Sequence, residues 1–175
     1  MDTQANYDRY KDMRGDPVVA PMPLERDTLR RFAQAIMDSD PTYFDEAHAA
    51  RTKYGSLVAP PLYPVHAFRR PAGTPDPLDA LAENRDADGT QGSMGVGYGL
   101  PAVDMPYRRL LNGGNEIEFY RALKVGEVAV AQPRYVEVTL KQGKSGNLLL
   151  VVIETRFTTE AGELLLINKQ TLIWR

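Results

Sequence analysis

From Asn115 to the C-terminus the sequence keeps the period of a pleated strand. Glu116-Ile117-Glu118-Phe119-Tyr120 and Arg134-Tyr135-Val136-Glu137-Val138-Thr139-Leu140 alternate with a period of two, and Val128 to Ala131 reads as a further short strand. Leu148 through Ile153 is an unbroken apolar run, the pattern of a central strand buried on both faces, and Leu164 to Trp174 supplies a closing strand. Gly126, Lys141 to Asn147 and Thr158 to Gly162 punctuate these runs as turns. Helical signals all come earlier. Helices first and an antiparallel meander second make an α+β plan, with a sheet wrapped around one helix.

The clearest helical pattern places Leu29, Phe32, Ala33, Ile36 and Met37 on one face, with Phe32 and Ile36 expected in the core. Asp27 is expected to cap its start, and Pro41 to stop it near Asp38-Ser39-Asp40. A short helix is predicted from an Asp45 cap through Lys53, closed by Gly55. Any helix in Leu57 to Phe68 has to start after Pro61 or Pro64. Residues 1–23 read as an N-terminal arm, its proline-spaced end Pro17 to Pro23 forming an extended or edge segment. Residues 24–175 form the domain, interrupted at about 71–112 by a long insertion rich in glycine, proline and aspartate.

Composition narrows the function. The net charge of −2 lacks the basic excess that phosphate contacts require, which excludes nucleic acid as the expected partner. No apolar run is long enough for a membrane span, and Met1 to Asp16 lacks the apolar stretch of a signal peptide. With no cysteine, a reducing cytoplasm is the expected location. Two histidines, His48 and His66, leave little material for a metal site, so no metal and no cofactor is expected. Gly95-Val96-Gly97-Tyr98-Gly99 has neither the strand before it nor the helix after it that a nucleotide loop needs.

Several ordered motifs carry a resemblance. Phe32 to Asp45, Tyr54-Gly55-Ser56-Leu57-Val58-Ala59-Pro60-Pro61, Asn112 to Phe119 and Leu123-Lys124-Val125-Gly126-Glu127 together resemble the MaoC-like hydratases and dehydratases, in the version found in fatty-acid-synthase-type dehydratase N-terminal domains. The resemblance implies a single hot-dog domain, a curved antiparallel sheet around a short central helix. It also implies syn addition of water to a 2-enoyl thioester, or the reverse reaction. In that family an aspartate, and a histidine five residues later, hold the water, and a backbone N–H about twenty residues on stabilises the thioester oxyanion.

Carried onto this chain, Asp38 takes the aspartate position, Tyr43 stands in the histidine position, and Pro61 stands at the oxyanion donor. A phenol titrates near 10 and is a poor base at neutral pH, and proline has no N–H. Losing a general acid/base costs roughly 10²- to 10⁴-fold, and losing an oxyanion donor about 10²- to 10³-fold. The resemblance therefore implies the non-catalytic subunit of a heteromeric (R)-specific enoyl-CoA hydratase or 3-hydroxyacyl-thioester dehydratase. Such a subunit, weak or inactive alone, shapes the acyl groove for a catalytic MaoC-like partner.

His66 is the one histidine able to stand in for the missing base. Arg69 and Arg70 are the substrate-binding candidates, with Arg108 and Arg109 as a second pair, since arginine forks suit CoA phosphates. The ligand that the resemblance implies is an acyl-CoA or acyl-carrier-protein thioester. A self-sufficient homodimeric hydratase with an unusual site, an acyl-thioester-binding scaffold without turnover, and a hot-dog thioesterase are the other readings.

Overall fold

A computed structural model describes residues 2–68, 73–75, 79, 83, 99–107, 109–144 and 146–175. Its sheet contains β1 (Val18–Val19), β2 (Leu110–Phe119), β3 (Ala129–Gly143), β4 (Gly146–Thr159) and β5 (Leu164–Trp174). The order is β1-β3-β4-β5-β2, and every neighbouring pair is antiparallel. The helices are α1 (Arg26–Ala35), α2 (Glu46–Ala49) and α3 (Tyr63–His66). This is the expected α+β hot-dog architecture.

The strands run longer than their alternation shows. Val128 to Ala131 and Arg134 to Leu140 are one strand, β3, which passes straight through Pro133. A proline is tolerated there because β3 has only the N-terminal segment on its outer side. β2 begins at Leu110 and not near Glu116, its start hidden by Asn112-Gly113-Gly114, where the register shifts. A side chain at Gly113 would come within 2.9 Å of the Thr171 methyl, so the bulge needs glycine. β4 is central as expected, but its two faces are unequal. Leu149, Val151, Ile153, Thr155, Phe157 and Thr159 are at most 4% exposed, whereas Leu148, Leu150 and Val152 are only half-buried.

Two hydrophobic clusters share that covered face. In one, Leu29 of α1, Ala49 of α2, Leu57, Ala59 and Tyr63 of α3 pack on Ala129, Ala131, Phe157, Leu165 and Leu166. In the other, Tyr7 and Tyr10 pack on Tyr135, Val138, Leu149, Val151, Ile153 and Leu172. The N-terminal segment also closes the outer edge of β3. The Gln4 side chain accepts from Leu140 N–H at 2.8 Å and donates to the Val138 carbonyl at 2.9 Å. Asp12 and Met13 bond Tyr135, Gly15 bonds Pro133, and Val18–Val19 pairs with Val130 and Ala131. Unpaired backbone on one side of the sheet is thereby satisfied, while β2 is the last strand at the other side among the described residues.

Asp2 ties this segment down. Its carboxylate accepts from the Tyr7 hydroxyl at 2.8 Å and from the Tyr107 hydroxyl. These bonds, Tyr107's foremost, hold its pKa below the ordinary aspartate value. A lowered folded-state pKa adds stability that is present above about pH 4 and is lost as pH falls through the lowered value. Asp2→Asn is therefore expected to lower Tm by a few degrees or less at pH 7, with the deficit shrinking as pH falls below about 4, in thermal melts across pH.

α1 corrects two further expectations. It starts at Arg26, so Asp27 is not the cap but lies in the first turn, where it pairs with Arg30 and Arg31, each at 2.6 Å. That places its charge favourably at the helix N-terminus. The helix stops at Ala35. Met37 N–H bonds the Gln34 carbonyl at 3.1 Å and Asp38 N–H bonds the Ala33 carbonyl at 3.0 Å, the Schellman arrangement, with Met37 at φ +57°. Ile36 and Met37 consequently leave the apolar stripe, 47% and 90% exposed, and Ile36 is not a core residue. Phe32 does pack against the core. Met37→Gly is expected to raise stability by about 1 kcal/mol by relieving the left-handed backbone, as measured by urea unfolding.

The second predicted helix is a single turn. Asp45 caps α2 through His48 N–H at 3.0 Å, and regular helix ends at Ala49, not Lys53. Thr52 then bonds the Ala49 carbonyl, and the chain turns to Gly55 at φ +71°. α3 starts after Pro61, as the prolines require.

Candidate active site

The loop between α1 and α2 carries Asp38 and Tyr43 and is built from its own backbone hydrogen bonds. Asp38 follows the αL residue Met37, so its position is set by the end of α1. Its carboxylate accepts from Asp40 N–H at 3.1 Å. Asp40 in turn accepts from Thr42 N–H at 2.8 Å and caps the 3-10 turn Pro41–Tyr43. The Thr42 contacts lower the Asp40 pKa. Both aspartates therefore shape the loop, whatever else they do.

Tyr43 is half-buried against the α-helical cluster. Burial, and then the nearby charges of Asp38 and Asp40, push its pKa above the ordinary 10. The structure thus brings Asp38 and Tyr43 into one electrostatic neighbourhood and keeps the phenol protonated at neutral pH. Tyr43 and Phe44 also line a cleft of about 390 Å³ with Arg26, Asp27, Arg30, Glu46 and Leu57. Its charged groups are largely spoken for: Arg26 pairs with Glu46, and Arg30 with Asp27 and Gln34.

His66 lies across an aromatic step. Its ring centroid is 5.4 Å from Phe32, and Phe32 stands edge-on to Tyr63 at 5.2 Å. His66 is exposed, and no hydrogen bond or ion pair joins it to Asp38 among the described residues. Pro61 is exposed in the turn that opens α3, where the Pro60 carbonyl accepts from Tyr63 N–H at 2.9 Å. His48 sits on α2, next to its Asp45 cap. Arg69, Arg70 and Arg108 lie outside the described residues, as does the Gly95–Gly99 run apart from Gly99. Arg109 is engaged through its backbone with Arg175.

Among the described residues no group of His, Asp and Glu could hold a metal ion, and no helix is long and apolar enough to cross a membrane. Sequence reading missed Phe44 and Leu62 as exposed apolar side chains, one in the loop and one at the start of α3. Their signal is apolar side chains beside prolines, which reads equally well as core. Phe44, Leu62, Ile36 and Met37 are all exposed.

The family model described as FAS1-like, dehydratase domain region, matches residues 18–167. A UPF0336 protein of Thermobifida fusca is 26% identical over 167 residues, covering 94% of this chain and 93% of that one. Among solved structures, the ChsH1–ChsH2 complex from Mycobacterium tuberculosis superposes with a TM-score of 0.68 at 20% identity, covering 97% of this chain and 89% of that one. The C-terminally truncated HadBC (3R)-hydroxyacyl-ACP dehydratase complex from the same organism gives 0.59 at 20% identity, covering 94% and 96%. R-hydratase PhaJ1 from Pseudomonas aeruginosa gives 0.60 at 15% identity, covering 95% and 83%. At these identities the structural likenesses establish the fold.

Proposed function

Because the chain belongs to the FAS1-like dehydratase domain region family, we propose that it is the non-catalytic subunit of a heteromeric enoyl-thioester hydratase or 3-hydroxyacyl-thioester dehydratase. One observation carries the reading. The position that should hold an imidazole beside Asp38 holds Tyr43, a phenol whose pKa its surroundings raise further. Water activation needs a group that can take a proton near neutral pH. Pro61 adds a second deficit, since the family's oxyanion donor is an amide hydrogen and a proline supplies none.

The surface supports a partner. The N-terminal segment closes the β3 edge, so among the described residues β2 is the edge along which a second sheet can extend this one. Leu111, Phe119 and Tyr120 are exposed on and just beyond that strand. Ile36, Met37 and Phe44 add exposed apolar side chains on and beside the Asp38 loop, where a partner's site would complete the chemistry. Two of the similar solved structures are complexes, ChsH1–ChsH2 and HadBC. In this reading a partner bearing an intact aspartate–histidine pair performs the reaction on an acyl-CoA or acyl-carrier-protein thioester, and Arg69 and Arg70 are the candidates to meet its phosphates.

The test is reconstitution. The chain, a MaoC-like partner with the Asp–His pair, and their mixture are each assayed for hydration of crotonyl-CoA and of longer enoyl-CoA thioesters. Full activity only in the mixture supports the reading, and rapid hydration by the chain alone overturns it.

A further inference from the structure

Midway between its two hydrophobic clusters the covered face of the sheet carries a polar strip. In register across the strands, one row is Pro133, Thr155, Asn168 and Ile117. The row on one side is Ala131, Phe157, Leu166 and Phe119. The row on the other is Tyr135, Ile153, Gln170 and Asn115. Asn115, Gln170 and Asn168 therefore form a continuous run of carboxamides, from the exposed β2 edge inward to β5.

Asn168 is its deepest member. It is 9% exposed, its cross-strand neighbour Thr155 is 4% exposed, and its Oδ1 has no hydrogen-bond partner among the described residues. A buried acceptor without a donor destabilises the fold, and an apolar side chain of the same shape would remove that cost. Native proteins keep few such atoms, so each calls for a donor that the chain itself does not supply. Nothing local demands an asparagine: position 168 is in regular strand, paired on both sides, with no turn or cap to make.

The chemistry of the strip limits what it can take. These three rows contain no charged side chain. An ionised ligand group would find no counter-charge there, whereas carboxamides and a hydroxyl suit a neutral polar group. An unpartnered Oδ1 asks specifically for a donor.

We propose that Asn168, flanked by Thr155 and Gln170, is a binding point for a neutral O–H or N–H donor of the acyl thioester lying along this face. The inference rests on the acyl-thioester reading above. The donor is either a hydroxyl on the acyl chain or an amide N–H of the pantetheine arm, and the two are separable.

Two probes are titrated calorimetrically into the full chain and into Asn168→Leu. Octanoyl-CoA carries the arm and no chain hydroxyl, and methyl 8-hydroxyoctanoate carries the hydroxyl and no arm. The variant is expected to melt above the wild type without ligand, and to bind one of the probes about tenfold more weakly, the worth of one buried neutral hydrogen bond. Whichever probe weakens names the source. Thr155→Val is expected to weaken the same probe severalfold. A variant that melts below the wild type, or that binds both probes unchanged, overturns the assignment of Asn168 alone. Failure of the wild type to bind either probe overturns the acyl-thioester reading together with it.

Discussion

The purified chain is expected to hydrate enoyl-CoA at least about 10²-fold more slowly than its mixture with a catalytic hot-dog partner, and as much as 10⁴-fold more slowly. The lower figure is the general-base deficit alone. The Pro61 deficit adds to it, though less than multiplicatively, because base and oxyanion donor act on one transition state. Within the assembled complex, Tyr43→Phe and Asp38→Asn should each leave kcat within about twofold, since neither group moves a proton in this reading. The assay follows loss of the conjugated enoyl-thioester absorbance. A chain that turns over rapidly alone, and loses that activity in Asp38→Asn or His66→Ala, is a self-sufficient hydratase. If no mixture turns over but acyl-CoA still binds, the scaffold reading takes its place.

Phe157→Ala should cost about 3–5 kcal/mol and lower Tm on the order of 10 °C. Phe157 is fully buried, pairs across β3 and β5 with Ala131 and Leu166, and meets Phe68 at a ring separation of 5.8 Å. It is where the helical layer, through α3 and Phe68, seats on the central strand. Ala131 opposite is already small, so nothing on that side can swell into the void. Denaturant unfolding with an unchanged m-value would show that the loss is in stability and not in the compactness of the unfolded chain. A cost below about 1.5 kcal/mol would mean that the site collapses and that α3 is not anchored there.

Period and punctuation carried much of this architecture. The meander β3–β4–β5 follows from alternation between glycine turns, and α3 could start only after a proline. The Asp45 cap was visible because a carboxylate three residues before a free N–H is a local arrangement. The places where the reading slipped share a cause. Ile36 and Met37 keep the helical spacing, but spacing does not report that the backbone turns left-handed at Met37 and closes on Ala33 and Gln34. Glycines at a bulge hid the start of β2. Leu148, Leu150 and Val152 are as apolar as their buried neighbours, and only the stacking of helices and the N-terminal segment on one side of β4 decides which set is covered.

The candidate site divides in the same way. That residues 38, 43 and 61 hold a carboxylate, a phenol and an imino acid is a property of the sequence, and side-chain chemistry alone sets what each can donate or accept. What only the tertiary structure decided is their surroundings: Tyr43 half-buried near two carboxylates, His66 set against the Phe32 ring, and one sheet edge sealed by Gln4 and Val18–Val19. The sealed edge comes from contacts between residues more than a hundred positions apart, as Gln4 to Leu140 and Val18 to Ala131 are. A local pattern cannot encode such a contact, because the free energy that makes it belongs to the packed face and not to either segment.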